Sequence, residues 1–315
     1  MEPDPTPDGV IENTPMLDLT GMSSPDELHG ISQLKNVAVV LVPEALSGAL
    51  ASIPMENVAS VVPIPGGARP SVHTGSIVMG GEGLADPAAS DKVLVVTGTL
   101  ALTTPVEHVS YREIIVTGLV LAPHGSESAL AAGLSRVTGA IRYYRYAEGQ
   151  QIRTYAGQVT LGPETLANEG GSNDDVLVVS GQVVVTGPIH AVGYQLIVGA
   201  GQLLLPRASQ ELLAPVLSSE GQLVWYAGDR VRVFTGHESF SQAFFELIDE
   251  PLALMLMGSI VIEDDVSASL LRDKVSEITL VGKIVAPREV VPVLQLLTTE
   301  KQGKIVTAQD DDGAG

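Results

Sequence analysis

The sequence contains no cysteine, which excludes disulfides and thiolate metal sites, and only 4% of its residues are aromatic. Basic residues are also scarce: 17 Lys and Arg stand against 37 Asp and Glu, for a formal charge of −20. Nucleic acid and anionic lipid are held through Lys and Arg, so neither suits this surface as a partner. No apolar run reaches the roughly 18 residues of a membrane span. The opening Met1-Glu2-Pro3-Asp4 has neither the basic nor the apolar part of a secretory signal. A cytoplasmic location is the expectation. No phosphate-binding or dinucleotide fingerprint occurs. The six histidines, at 29, 73, 108, 124, 190 and 237, lack metal-ligand spacing. His237-Glu238-Ser239 puts a base beside a hydroxyl, but no nucleophile elbow surrounds it. No catalytic residue, cofactor or metal is therefore expected.

What the chain does have is a repeat. Ile278 to Pro287 reads as a hydrophobic run, a glycine, a second hydrophobic run and a proline. The same unit recurs at Gly75, Gly98, Gly118, Gly139, Gly157, Gly181, Gly201, Gly221, Gly258, Gly282 and Gly303, at steps of 18 to 24 residues except for one step of 37. Such a period is the signature of a solenoid, one turn of chain stacked on the last. The run before each glycine, such as Val93-Leu94-Val95-Val96, is continuously apolar, as expected of a parallel strand buried on both faces. The glycine is read as a corner between two strands. The prolines at 123, 163, 206 and 287 are read as strand ends.

Four connectors have apolar residues at helical spacing: Glu44–Leu50, Ser126–Leu134, Ser209–Leu217 and Ser267–Val275. The connectors after Thr103 and Pro188 are too short and β-rich for a helix. The fold class expected is thus a β-rich repeat solenoid, a parallel β-helix or leucine-rich-repeat-like stack of about a dozen coils, some backed by short helices. It lacks the Asn or Cys ladder position of a true leucine-rich repeat.

Residues 1–33 form an acidic, Pro-rich tail, with disorder expected to about residue 15, followed by a capping helix. Ser24 is its expected N-cap, Pro25 its first residue and Glu27 the closure of a capping box, in a helix running to about Leu34. Residues 34–308 are expected as one solenoid domain and 309–315 as an acidic tail. The 37-residue step marks an irregular aromatic insertion at 222–251, which holds Trp225 and all four Phe. It is expected to contain one disguised coil at Arg230–Phe234 and a short helix starting near Ser241.

The most unusual surface is Arg142-Tyr143-Tyr144-Arg145-Tyr146, followed by Arg153 and Tyr155. It gathers Arg and Tyr, residues enriched at interface hot spots, in an otherwise acidic chain. With Trp225, Phe240 and Phe244 of the insertion, these are the candidate interaction residues. Polar tails around a β-rich repeat core resemble, in general plan, bacterial polymer-forming β-helix proteins such as the bactofilins. The expected function is a non-enzymatic scaffold acting through protein–protein contacts, with a protein or another copy of itself as partner. The alternatives are a monomeric or dimeric binding module using the Tyr/Arg patch or the 222–251 segment, and a β-helix enzyme acting on polysaccharide.

Overall fold

The computed structural model describes residues 9–227 and 231–307. Arg230 and the acidic tail at Asp310–Asp312 lie outside the described residues. The fold is β-rich and built of parallel sheets, none closed into a barrel. The strands do not continue as a single stack but divide into four separate sheets. The first holds β1 (Val10–Asp18), β2 (Gln33–Pro43) and β3 (Met55–Ile64), and the second β4 (Arg69–Met79), β5 (Lys92–Leu102), β6 (Glu113–Pro123) and β7 (Leu134–Tyr144). The third holds β8 (Ile152–Leu161), β9 (Val176–Val185), β10 (Leu196–Pro206), β11 (Leu217–Ser219) and β12 (Gln222–Tyr226). The fourth holds β13 (Val231–Phe240), β14 (Leu252–Ile262), β15 (Val275–Ala286) and β16 (Thr298–Thr307). Within each sheet neighbouring strands follow sequence order, except that β11 and β12 both pair with β10.

Contacts divide the chain into two compact units, Met1–Ile152 and Arg153–Gly315. In the first unit, Val39, Leu41, Val62 and Ile64 of the first sheet pack against Val93, Val95 and Ile115 of the second. The alternate residues face outward: Leu94, Val96, Leu100 and Leu102 meet Leu130 of helix α2 (Glu127–Gly133). Leu28, Leu46 and Leu50 cover the outer face of the first sheet, the last from helix α1 (Ser47–Leu50). The second unit repeats the plan. Val184, Leu204, Val224 and Tyr226 meet Met255 and Met257 between the sheets. Helices α3 (Pro163–Ala167) and α4 (Gln210–Leu213) cover the third sheet through Leu166 and Leu213. Helices α5 (Gln242–Glu246), α6 (Ala268–Lys274) and α7 (Val291–Leu297) cover the fourth. Interior strands are buried on both faces, which is why their sequence is continuously Val, Ile and Leu. Each such side chain contributes roughly 1.5–3 kcal/mol on burial. Among the described residues no helix is long and apolar enough to cross a membrane.

Several sequence expectations are corrected. Residues 10–18 are strand β1 rather than disordered chain. The capping box of Ser24 and Glu27 forms, but its helix is a 3-10 turn, Pro25–Gly30, that connects β1 to β2 instead of closing the end of a stack; Leu34 already belongs to β2. The 37-residue step is the passage from the third sheet to the fourth. Residues 222–251 hold β12, β13 and α5, and the missing ladder glycine is Gly236, paired with Gly258. Most of the glycines are not corners between separate strands but lie within one continuous strand of 10 to 12 residues; Gly221, between β11 and β12, is the one that separates two strands as expected.

A steric constraint explains the ladder. Gly98, Gly118 and Gly139 have φ of +136°, +134° and +137°, in a region L side chains rarely adopt. A Cβ on each would stand 2.1, 2.1 and 2.0 Å from the carbonyl oxygen of the glycine one strand earlier. The first sheet solves the same problem with asparagine. Asn13, Asn36 and Asn57 take φ of 55°, 52° and 54°. Their amides form an exposed ladder, Asn36 Nδ2 donating to Asn13 Oδ1 and Asn57 Nδ2 to Asn36 Oδ1, both at 2.9 Å. Asn tolerates the left-handed region better than other non-glycine residues.

Gly75, on the end strand β4, has φ of +90° and nothing within 4 Å of a Cβ position. Gly118→Ala is expected to lower unfolding free energy by about 3 kcal/mol or more, through strain and collision together. Gly75→Ala, with strain alone, is expected to cost about 1–2 kcal/mol. Urea denaturation of the two variants checks the order, and equal losses would remove the collision as a cause.

Candidate interaction surface

The Tyr/Arg stretch sits on two sheet edges. β7 ends the second sheet and β8 begins the third. Arg142 and Tyr143 are half-buried on β7, Arg145 and Tyr146 are exposed beyond it, and Arg153 and Tyr155 are half-buried on β8. Tyr143 stacks on His124 with ring centroids 5.8 Å apart. Arg153 Nε lies 4.0 Å from the buried Asp175 carboxylate. Tyr144 is 2% exposed and belongs to the interior. The aromatic residues of the 222–251 segment pack inward as well. Phe240 is 3% exposed, and its ring stacks on half-buried Phe244 at 4.5 Å inside the outer core of the fourth sheet. Trp225 is half-buried against the core of the third sheet. Of the stretch, Arg145 and Tyr146, just beyond β7, remain exposed.

Tyr144 has a definite task. Thr103 N–H on the strand end of β5 donates to Met79 O, and Thr186 N–H after β9 donates to Leu161 O, both at 2.9 Å. Continuing the register one strand puts Pro123 opposite Thr103 and Pro206 opposite Thr186. Proline has no N–H, so the carbonyls of Leu102 and Val185 lose their ladder donors. Tyr144 Oη–H reaches across to donate to Leu102 O at 2.6 Å, and Tyr226 Oη–H donates to Val185 O at 2.5 Å. A tyrosine two strands away thus replaces the hydrogen bond that the proline removes, once in each unit. Two buried serines recur in the same way: Ser126 Oγ accepts from Val106 N–H at 3.0 Å and Ser209 Oγ from Ile189 N–H at 3.3 Å.

Other polar groups that sequence reading missed are also used by the fold. Asn168, with φ of 52°, donates through Nδ2 to Ser172 O, Asp175 Oδ2 and Gly193 O at 3.0, 3.1 and 2.9 Å. It closes the loop that the sequence marks only by composition. In the third sheet, the residue after each ladder glycine is glutamine. Gln158 Nε2 donates to Gln182 Oε1, Gln182 to Gln202 and Gln202 to Gln222, at 3.0, 2.6 and 3.0 Å. Gln202 also donates to Gln302 of the fourth sheet at 2.6 Å. The repeated Gly-Gln dipeptide was the available signal, but only in-register pairing turns it into a ladder.

Two predictions test these assignments. Tyr144→Phe leaves the Leu102 carbonyl buried without a donor and is expected to cost about 1–3 kcal/mol. In a Pro123→Ala background, where the backbone N–H returns, the same substitution is expected to cost clearly less, so a denaturation double-mutant cycle reads the coupling. Burial holds the Tyr226 hydroxyl neutral and pushes its pKa up to about 12. Its contribution to stability is complete below the usual tyrosine value near 10 and is lost as pH rises toward 12. Tyr226→Phe is expected to flatten the fall in stability over that window, measured by urea titration at fixed pH. No family model, no curated protein and no solved structure matches the chain.

Proposed function

We propose that the chain is a non-enzymatic scaffold of the cytoplasm, acting through protein–protein contacts and joining copies of itself along the edges of its sheets. In this reading each sheet is a short solenoid-like stack of coils of about 20 residues, helix-backed on one face. The observation that carries the reading is that the stacks end open. The first ladder glycines, Gly75, Gly157 and Gly236, keep the left-handed φ of +89° to +90°, yet none of the described residues lies within 4 Å of their Cβ positions. In interior strands that space holds the preceding glycine's carbonyl. An end strand of this geometry is a template for another strand. The buried polar groups Tyr144, Tyr226, Ser126 and Asn168 support the non-enzymatic part, because each bonds to the backbone of its own unit.

A second reading is favoured by the β7 edge. In a chain of charge −20, Arg136 and Arg145 are exposed there and Tyr146 is 40% exposed, a surface that fits an acidic protein partner. Sedimentation velocity across a range of concentrations separates the two. The scaffold reading expects species larger than the monomer that grow with concentration, and a monomer at every concentration overturns it. Loss of association in the double variant Arg142→Glu/Arg145→Glu places the contact on the β7 edge.

A further inference from the structure

The eight sheet edges are not equivalent. Natural sheets guard exposed edges with charge and proline. β1 carries Glu12, Pro15 and Asp18, β3 carries Glu56 and Pro63, and β4 carries Arg69 and Pro70. β7 carries Arg136 and Arg142, β13 carries Arg232 and Glu238, and β16 carries Glu300, Lys301 and Lys304. Among the described residues only the two edges of the third sheet carry a single charge and no proline: β8 has Arg153, beside Asp175, and the opposite edge has Glu220, between β11 and β12. On β8, Thr154, Gly157, Gln158 and Thr160 are exposed, and on the opposite edge Gln222 is exposed.

These two edges also fit one another. Within the sheet each glutamine donates to the next strand, so the chain of bonds starts at Gln158 and ends at Gln222. That direction leaves an acceptor, Gln158 Oε1, on the β8 edge and a donor, Gln222 Nε2, on the β12 edge. The glycines have the same polarity. A Cβ on Gly181, Gly201 or Gly221 would meet the carbonyl of the preceding ladder glycine, at 2.5, 2.2 and 1.9 Å, whereas the space at Gly157 is empty. Gly221 O of a second copy fits that space in the same register that brings Gln222 Nε2 to Gln158 Oε1. Resting on the self-assembly reading above, we infer that the β12 edge of one copy docks in parallel and in register on the β8 edge of the next, continuing the Gly and Gln ladders between molecules. The contact is heterologous, so it propagates instead of closing as a symmetric dimer.

The test uses the full chain and two charge substitutions that keep the internal bonds. Gln222→Glu still accepts from Gln202 but offers no donor to the next copy. Gln158→Lys still donates to Gln182 but offers no acceptor. Each single variant is expected to weaken association about tenfold in sedimentation velocity, with unchanged circular dichroism and urea midpoint. The pair Gln222→Glu/Gln158→Lys sets opposite charges across the contact and is expected to restore association. Single variants that associate like the parent, or a double variant no better than the singles, overturn the inference. If association is instead lost in Arg142→Glu/Arg145→Glu and kept in the glutamine variants, the inference falls and the scaffold reading stands. A parent protein that stays monomeric overturns both.

Discussion

The structure depends on one backbone requirement: near the middle of its strands a residue must take a left-handed φ, and strands bent this way must stack in register. Two side-chain solutions meet it. Glycine removes the Cβ that would strike the carbonyl one strand below, and it lets the backbones nest, as at Gly118 over Gly98. Asparagine keeps its Cβ but tolerates the conformation, and its amide bonds the next asparagine, as at Asn36 and Asn13. The choice fixes register, because a slip of one residue would place a β-branched side chain at the left-handed position and turn the buried face outward. The ladder is thus both a bend and an alignment mark.

A second set of interactions repairs what ending the strands costs. Prolines at 123 and 206 stop the ladder and leave carbonyls without donors. Tyr144 and Tyr226 supply hydroxyls in their place. The long phenol side chain allows a strand to be repaired by a neighbour two rungs away, which no Ser or Thr could reach. Repetition of the Pro/Tyr pair and of the buried serine in both units ties the two halves to one plan, at the level of individual hydrogen bonds.

The period, the parallel pairing, the double-sided burial of runs such as Val93–Val96 and the capping box at Ser24 were legible in the sequence because each rests on local pattern. The division into four sheets was not. The glycine step hardly changes between Gly139 and Gly157, where one sheet ends and another begins. At the next boundary the 37-residue step does change, but the sequence presents it as an insertion around Phe240 and Phe244. Gly236 was hidden because the segment after it, His237-Glu238-Ser239, is polar on an exposed end strand. The candidate interaction residues were legible only by type. Arg and Tyr marked the β7 edge, but nothing in the sequence distinguishes buried Tyr144 from exposed Tyr146, since that depends on a carbonyl 42 residues away.

Edge chemistry connects this architecture to the proposed self-assembly. A protein made of several short parallel stacks has more open edges than one continuous stack of the same length, and each is a hazard for uncontrolled pairing. In a chain with few bases, seven of the 17 Lys and Arg nevertheless lie on end strands, at Arg69, Arg136, Arg142, Arg153, Arg232, Lys301 and Lys304. Strongly acidic chains repel one another, and cationic edges in the same chain repel other cationic edges. Guarding most edges in this way gives the least guarded pair its specificity, because every other edge carries a proline or more than one charge. Selectivity in such a protein comes less from an attractive patch than from the edges at which pairing is forbidden.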